Sequence, residues 1–197
     1  MLNFACVACH STTYAFALSV GPESSSAQKV GQWPAQEVKI PKVVARVLGG
    51  HTDLYKSGLL LEREGFGVGA FAYYRRIVEA TIDGLLDKIE AILPEDERSD
   101  YSGRLMEVKK QHTAEKRLEA VSGLLPSHLR PNDVNPLSAI YSALSQGIHS
   151  DSEETCLDYA EAIRTSLVYL IEEIDRHKAQ QATFSDRIKK VLAKPKK

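Results

Sequence analysis

The chain has 197 residues, 43% of them hydrophobic and 26% charged, and a formal net charge of -1. Those values are average for a globular protein and exclude a disordered, collagen-like or disulfide-dense chain. The charge balance excludes a global basic field for nucleic acid. No apolar run approaches the ~20 residues of a membrane-spanning helix, so no membrane partner is expected.

Residues 1–40 read as a small, irregular, partly β appendage. Tyr14 to Val20 alternates bulky and small side chains like a strand. Gly21 to Ser26 reads as a turn, and Pro34 keeps Trp33 extended. Phe4 to Val20 superficially resembles a secretory leader. However, no Lys or Arg precedes it, and His10 to Thr13 interrupt it, so a cytoplasmic location is expected. Three cysteines with one tight pair fit a reducing compartment.

From Pro41 the pattern becomes helical, and residues 41–178 read as a bundle of about five helices. Pro41 suits a first helical position before Val43, Val44 and Val47. A second helix is expected from about Thr52 to Glu64. A third starts near Gly67–Ala70 and runs to about Leu93, with Phe71, Tyr74, Val78, Ile82, Leu85 and Ile89 on one face. A polar helix with a thin apolar face follows, from about Tyr101 to Leu125. Asn135 and Pro136 open the next helix, which ends near Gly147. Ser150 or Asp151 then caps the last long helix. There Cys156, Tyr159, Ile163, Leu167, Leu170 and Ile174 make a near-heptad stripe. Residues 179–197 read as a polar helical extension ending in a basic tail.

Four motifs are candidates for chemistry. Cys6-x-x-Cys9-His10 resembles half of a zinc-binding ribbon. A closed tetrahedral site needs four ligands, and no second pair follows. No cofactor is therefore expected and the pair reads as vestigial; the alternative is a zinc half-site on Cys6 and Cys9, completed by a second chain or by residues upstream. Gly65-Phe66-Gly67-Val68-Gly69 lacks the Lys and Ser/Thr of a phosphate loop, and a helix precedes it. It reads as a tight interhelical turn with close backbone approach. Arg75 falls within the apolar stripe of the third helix, with Glu79 one turn on as its partner and Arg76 turned outward. The structural reading is a buried ion pair fixing helix register. His149 stands at a helix C-terminus, either bridging two helix ends or acting as an acid–base group.

The Tyr73-Tyr74-Arg75-Arg76-Ile77-Val78-Glu79 helix, the Leu144-Ser145-Gln146-Gly147-Ile148-His149 turn and the long amphipathic helix together resemble the HEPN superfamily. The similarity is greatest to bacterial HEPN-like domains that follow a small zinc-ribbon-like segment, and it covers roughly residues 50–175. The resemblance implies an up-and-down helical bundle that forms a homodimer through its long helices. Many members are metal-independent ribonucleases of defence or toxin–antitoxin systems, whose site pairs an arginine with a histidine a few residues later on one helix. His149 would match that histidine. The positions five to seven before it are Leu144, Ala143 and Ser142, so the arginine is missing.

The leading expectation is therefore a non-enzymatic interaction and dimerisation module. The alternative is a ribonuclease, with RNA or a nucleotide as partner, in which Arg75, Arg76, Glu79 and His149 carry the chemistry.

Overall fold

The structure is a computed structural model. It describes residues 1–21, 27–35, 37–123, 125–146 and 152–192, without the side chains of Glu115, Lys190 and Val191. It divides into two compact units, Met1–Lys39 and Ile40–Lys197.

The first unit is a three-stranded antiparallel sheet of β1 (Leu2–Ala5), β2 (Thr13–Val20) and β3 (Ala27–Trp33), in that order. The strand read at Tyr14–Val20 and the extended stretch before Pro34 are both present. The first strand was not expected, because Leu2–Ala5 is too short to show a period. Leu2 pairs with Phe16 and Phe4 with Tyr14, and the Phe4 and Phe16 rings meet edge to face at 5.8 Å. No described residue of this unit is fully buried. A unit this small rarely builds a sufficient core from side chains alone.

The second unit is helical: α1 (Lys42–Leu48), α2 (Thr52–Arg63), α3 (Gly67–Glu90), α4 (Glu95–Lys109), α5 (Ala114–Ser122), α6 (Pro136–Ser145) and α7 (Glu153–Leu192). Its centre is the α3–α7 pair, with α2 packed on α3, α6 on α7 and α5 on α6. The stripe of α7 is used inside this core. Cys156, Ile163, Leu167, Leu170 and Ile174 are buried, and Tyr159 is half-buried with its ring edge on Phe71 at 6.3 Å. No described helix is long and apolar enough to cross a membrane.

Three local features correct the sequence reading. The single polar helix expected over residues 101–125 is two helices. The first begins directly after Pro94, with Glu95, Asp96 and Glu97 in its dipole-favoured first turn. The second is opened by Thr113, whose side chain accepts from the Lys116 N–H at 3.3 Å. Pro41 lies before the first turn of α1, with φ -55 and ψ 137, rather than inside it. At α7, the expected caps Ser150 and Asp151 lie outside the described residues. Ser152 caps instead, its Oγ accepting from Thr155 N–H at 3.1 Å and its carbonyl from Cys156 N–H at 3.0 Å. Asn135 caps α6 as expected, accepting from the N–H groups of Leu137 and Ser138 at 3.0 and 3.3 Å.

Candidate functional site

The glycine-rich segment is an interhelical turn. Gly65 takes φ +84, the left-handed conformation that ends α2. The Glu153 carboxylate accepts from the Val68 N–H at 3.0 Å, so an internal carboxylate occupies the anion position at the start of α3.

Arg75 and Glu79 do pair, Nε to Oε1 at 3.0 Å, but at the surface: their side chains are 36% and 45% exposed. This corrects the expectation of a buried pair. The helical wheel put Arg75 near the apolar stripe, but its flexible stem carries the guanidinium out to the rim of α3. There Nη1 donates to the Leu144 carbonyl at 3.1 Å. Leu144 lies in the last turn of α6, whose carbonyls have no partner within their own helix. Arg75 therefore caps α6 from α3, and it joins the two motifs that carry the HEPN resemblance. Arg76 is exposed. His149, the proposed acid–base group, lies outside the described residues.

A cleft of about 260 Å³ opens beside this pair, lined by Arg75, Glu79, His112, Thr113, Ala114 and Arg117. The exposed His112 brings an imidazole to the cleft. Both arginines are matched with carboxylates. Arg117 Nη1 donates to both oxygens of Asp83 at 2.8 Å, and its Nε donates to the Gln111 carbonyl at 3.0 Å. The four charges cancel, and this leaves little field to attract a phosphodiester. Removing the exposed Glu79 carboxylate should be mild. Glu79→Ala is expected to cost about 0–1 kcal/mol in a thermal melt. Arg75→Ala, which also frees the α6 carbonyl, should cost about 1–2 kcal/mol.

Cys6 and Cys9 sit in the β1–β2 turn. It is closed by Cys6 N–H to Thr12 carbonyl and His10 N–H to Cys6 carbonyl, both at 2.8 Å, with His10 at φ +54. Cys9 is exposed, and hydrogen bonds from Ser11 and Thr12 lower its thiol pKa to about 6. A thiolate at neutral pH is the form that binds a metal. Among the described residues, no group of three or more His, Cys, Asp or Glu is placed to hold an ion.

The most buried charged cluster was missed from sequence. Both carboxylate oxygens of Glu62 on α2 accept from Arg164 Nε on α7 at 2.9 Å, and Tyr74 Oη on α3 also donates to Glu62 Oε2 at 2.6 Å. The two charged side chains are only 17% and 24% exposed. Tyr55 packs against Tyr74 with ring centroids 5.8 Å apart. Burial, reinforced by the Glu62 carboxylate, pushes the Tyr74 hydroxyl far above its usual range. Each partner comes from a different helix, so no local spacing could have flagged them. The same holds for the exposed His128, whose ring lies 4.1 Å from that of His177. Partial burial, with the neighbouring His177 charge, lowers its pKa.

Comparison of the chain with family models, with curated proteins and with solved structures finds no match.

Proposed function

We propose that the helical unit is a HEPN-like interaction and dimerisation module, non-enzymatic, with a second copy of the chain as its partner. One observation carries this reading. The last three turns of α7 present Phe184, Ile188 and Leu192 at steps of four residues, 67%, 42% and 78% exposed. A helix alone in water gains nothing from such a stripe, and an apolar ridge continuous with a packed helix is a surface that a partner helix covers.

A second copy suits it in charge as well. Arg187 and Lys189 flank the stripe with only Asp186 against them. At the root of the extension, Gln181 Nε2 donates to the Ile92 carbonyl at 3.1 Å, close to the acidic first turn of α4. Antiparallel pairing of two extensions would bring the basic tip of each to the partner's Glu95, Asp96 and Glu97. A parallel pairing would stack like charges.

The stripe is short, so association should be in the micromolar range rather than tighter. Light scattering at tens of micromolar is expected to give twice the 21.8 kDa chain mass. Phe184→Glu combined with Ile188→Glu should give the monomer mass and, below the concentration at which the wild type dimerises, an unchanged melting temperature, because both positions are solvent-facing within one chain. A wild type that stays monomeric would sink this reading.

The alternative, an RNA-cleaving enzyme, has the His112 imidazole beside Arg75 and Glu79 in its favour. It requires the wild type to cut RNA and the stable Glu79→Ala variant to lose about 100-fold or more of that rate.

A further inference from the structure

A second cavity, of about 280 Å³, lies between α1, α3 and α7 and shares no lining residue with the Arg75 cleft. Its floor is apolar: Val47, Leu85, Ile171 and Ile174. The latter three are core residues whose outer edges the cavity reaches. Its rim carries Arg46, Lys88, Asp175 and Lys178.

The rim charges are not balanced. Arg46 is ion-paired with Asp175, and these two charges offset one another. Among the described residues, Lys88 Nζ donates only to the Gly84 carbonyl, at 3.3 Å, one turn back on its own helix. No carboxylate pairs with Lys88 or Lys178 among the described ion pairs. Two lysines without a carboxylate partner thus stand at the rim of an apolar hollow, on two different helices. An apolar body alone would leave them uncompensated, and a bare anion would leave the hollow unfilled. The complementary ligand has both parts.

We propose that this cavity binds a small amphipathic carboxylate, its alkyl chain on the Val47–Leu85–Ile171–Ile174 floor and its head between Lys88 and Lys178. The volume equals that of about nine liquid waters. That is room for a chain of about eight carbons, and longer chains would protrude. Neither the dimer reading nor the nuclease reading bears on this site, so it stands or falls separately.

The test is calorimetric titration of the full chain with octanoate, beside octanol, octylamine and acetate at the same ionic strength. Octanoate is expected to bind at least about tenfold more tightly than any of the three controls, since each part of the ligand meets its own part of the site. Lys88→Gln with Lys178→Gln, both at solvent-accessible positions, should weaken octanoate roughly five- to tenfold, leave octanol unchanged, and keep the wild-type melting temperature. Raising salt should weaken octanoate and not octanol. Octanoate binding no more tightly than octanol, or equally well to the double variant, would overturn the assignment. If the double variant melts lower, Lys178→Gln alone, on the exposed side of α7, carries the same comparison.

Discussion

Gly67→Ala is expected to be the most damaging single-methyl change in the chain. The added Cβ would lie 2.0 Å from the Glu153 carbonyl oxygen and 2.6 Å from the Leu157 nitrogen. Both are backbone atoms of the first turns of α7, so no side chain can swing away. Either α3 or α7 must move, and the pair forms the centre of the core. Overpacking a rigid contact costs about 1–3 kcal/mol and sometimes more. Separation would also break the Glu153 carboxylate bond to Val68 N–H, worth about 1 kcal/mol as a helix cap. A total of about 2–4 kcal/mol should lower the melting temperature by roughly 5–15 °C. Gly103→Ala supplies the control. That position lies inside α4 with nothing within 4 Å of the new atom, so the better helix propensity of alanine should stabilise by about 0.5–1 kcal/mol. Opposite signs from one chemical change would show that the effect at Gly67 is helix–helix contact. A Gly67→Ala protein melting within about 2 °C of wild type would mean the two helices are not so closely apposed.

Gly67 also shows what a sequence can and cannot display. The turn and the close approach were legible from Gly65-Phe66-Gly67-Val68-Gly69, because only glycine permits both. What it approaches, the start of α7, lies more than eighty residues away and leaves no local trace. The long helices were legible for the same kind of reason. A period near 3.6 is written into α3 and into Cys156–Ile174, and that stripe is buried. The break between α4 and α5 was hidden because both have thin apolar faces, and only the Thr113 cap divides them. Arg75 was placed correctly against Glu79 but at the wrong depth. A helical wheel gives the direction of Cβ, and a long side chain then bends toward water. The apolar residues Phe184, Ile188 and Leu192 were passed over in a segment read as polar, since the lysines and glutamines around them dominate its average.

The Glu62 cluster shows the same limit with an energetic consequence of similar size. Glu62→Ala would leave the Arg164 guanidinium without its carboxylate and the Tyr74 hydroxyl without its acceptor, both well shielded from water. Removing one partner of a buried pair costs ~3–5 kcal/mol. The residual exposure of the pair argues for the lower end, about 3 kcal/mol. Arg164→Met alone should be similar or milder, because Glu62 then keeps the tyrosine donor. Glu62→Leu with Arg164→Met should recover much of the loss, since an apolar pair of similar volume needs no partners. Thermal melts of the two singles and the double close the cycle, and a coupling of about 1.5 kcal/mol or more is expected for groups in direct contact. Additive costs would mean that the pair contributes nothing as a pair. The cluster also sets an alkaline limit. In the unfolded chain Tyr74 ionises near its ordinary value of 10.0, whereas burial and the Glu62 charge keep it neutral in the fold. Its folded pKa is the higher one, so the protein should lose stability as pH rises above about 10. Tyr74→Phe cannot ionise in either state. It should cost about 1 kcal/mol at neutral pH for the lost hydrogen bond, yet lessen the alkaline fall in melting temperature, of which Tyr55 and Tyr101, also raised by burial, keep a share. A Tyr74→Phe variant whose melting temperature falls above pH 10 as steeply as that of wild type would locate the alkaline sensitivity elsewhere.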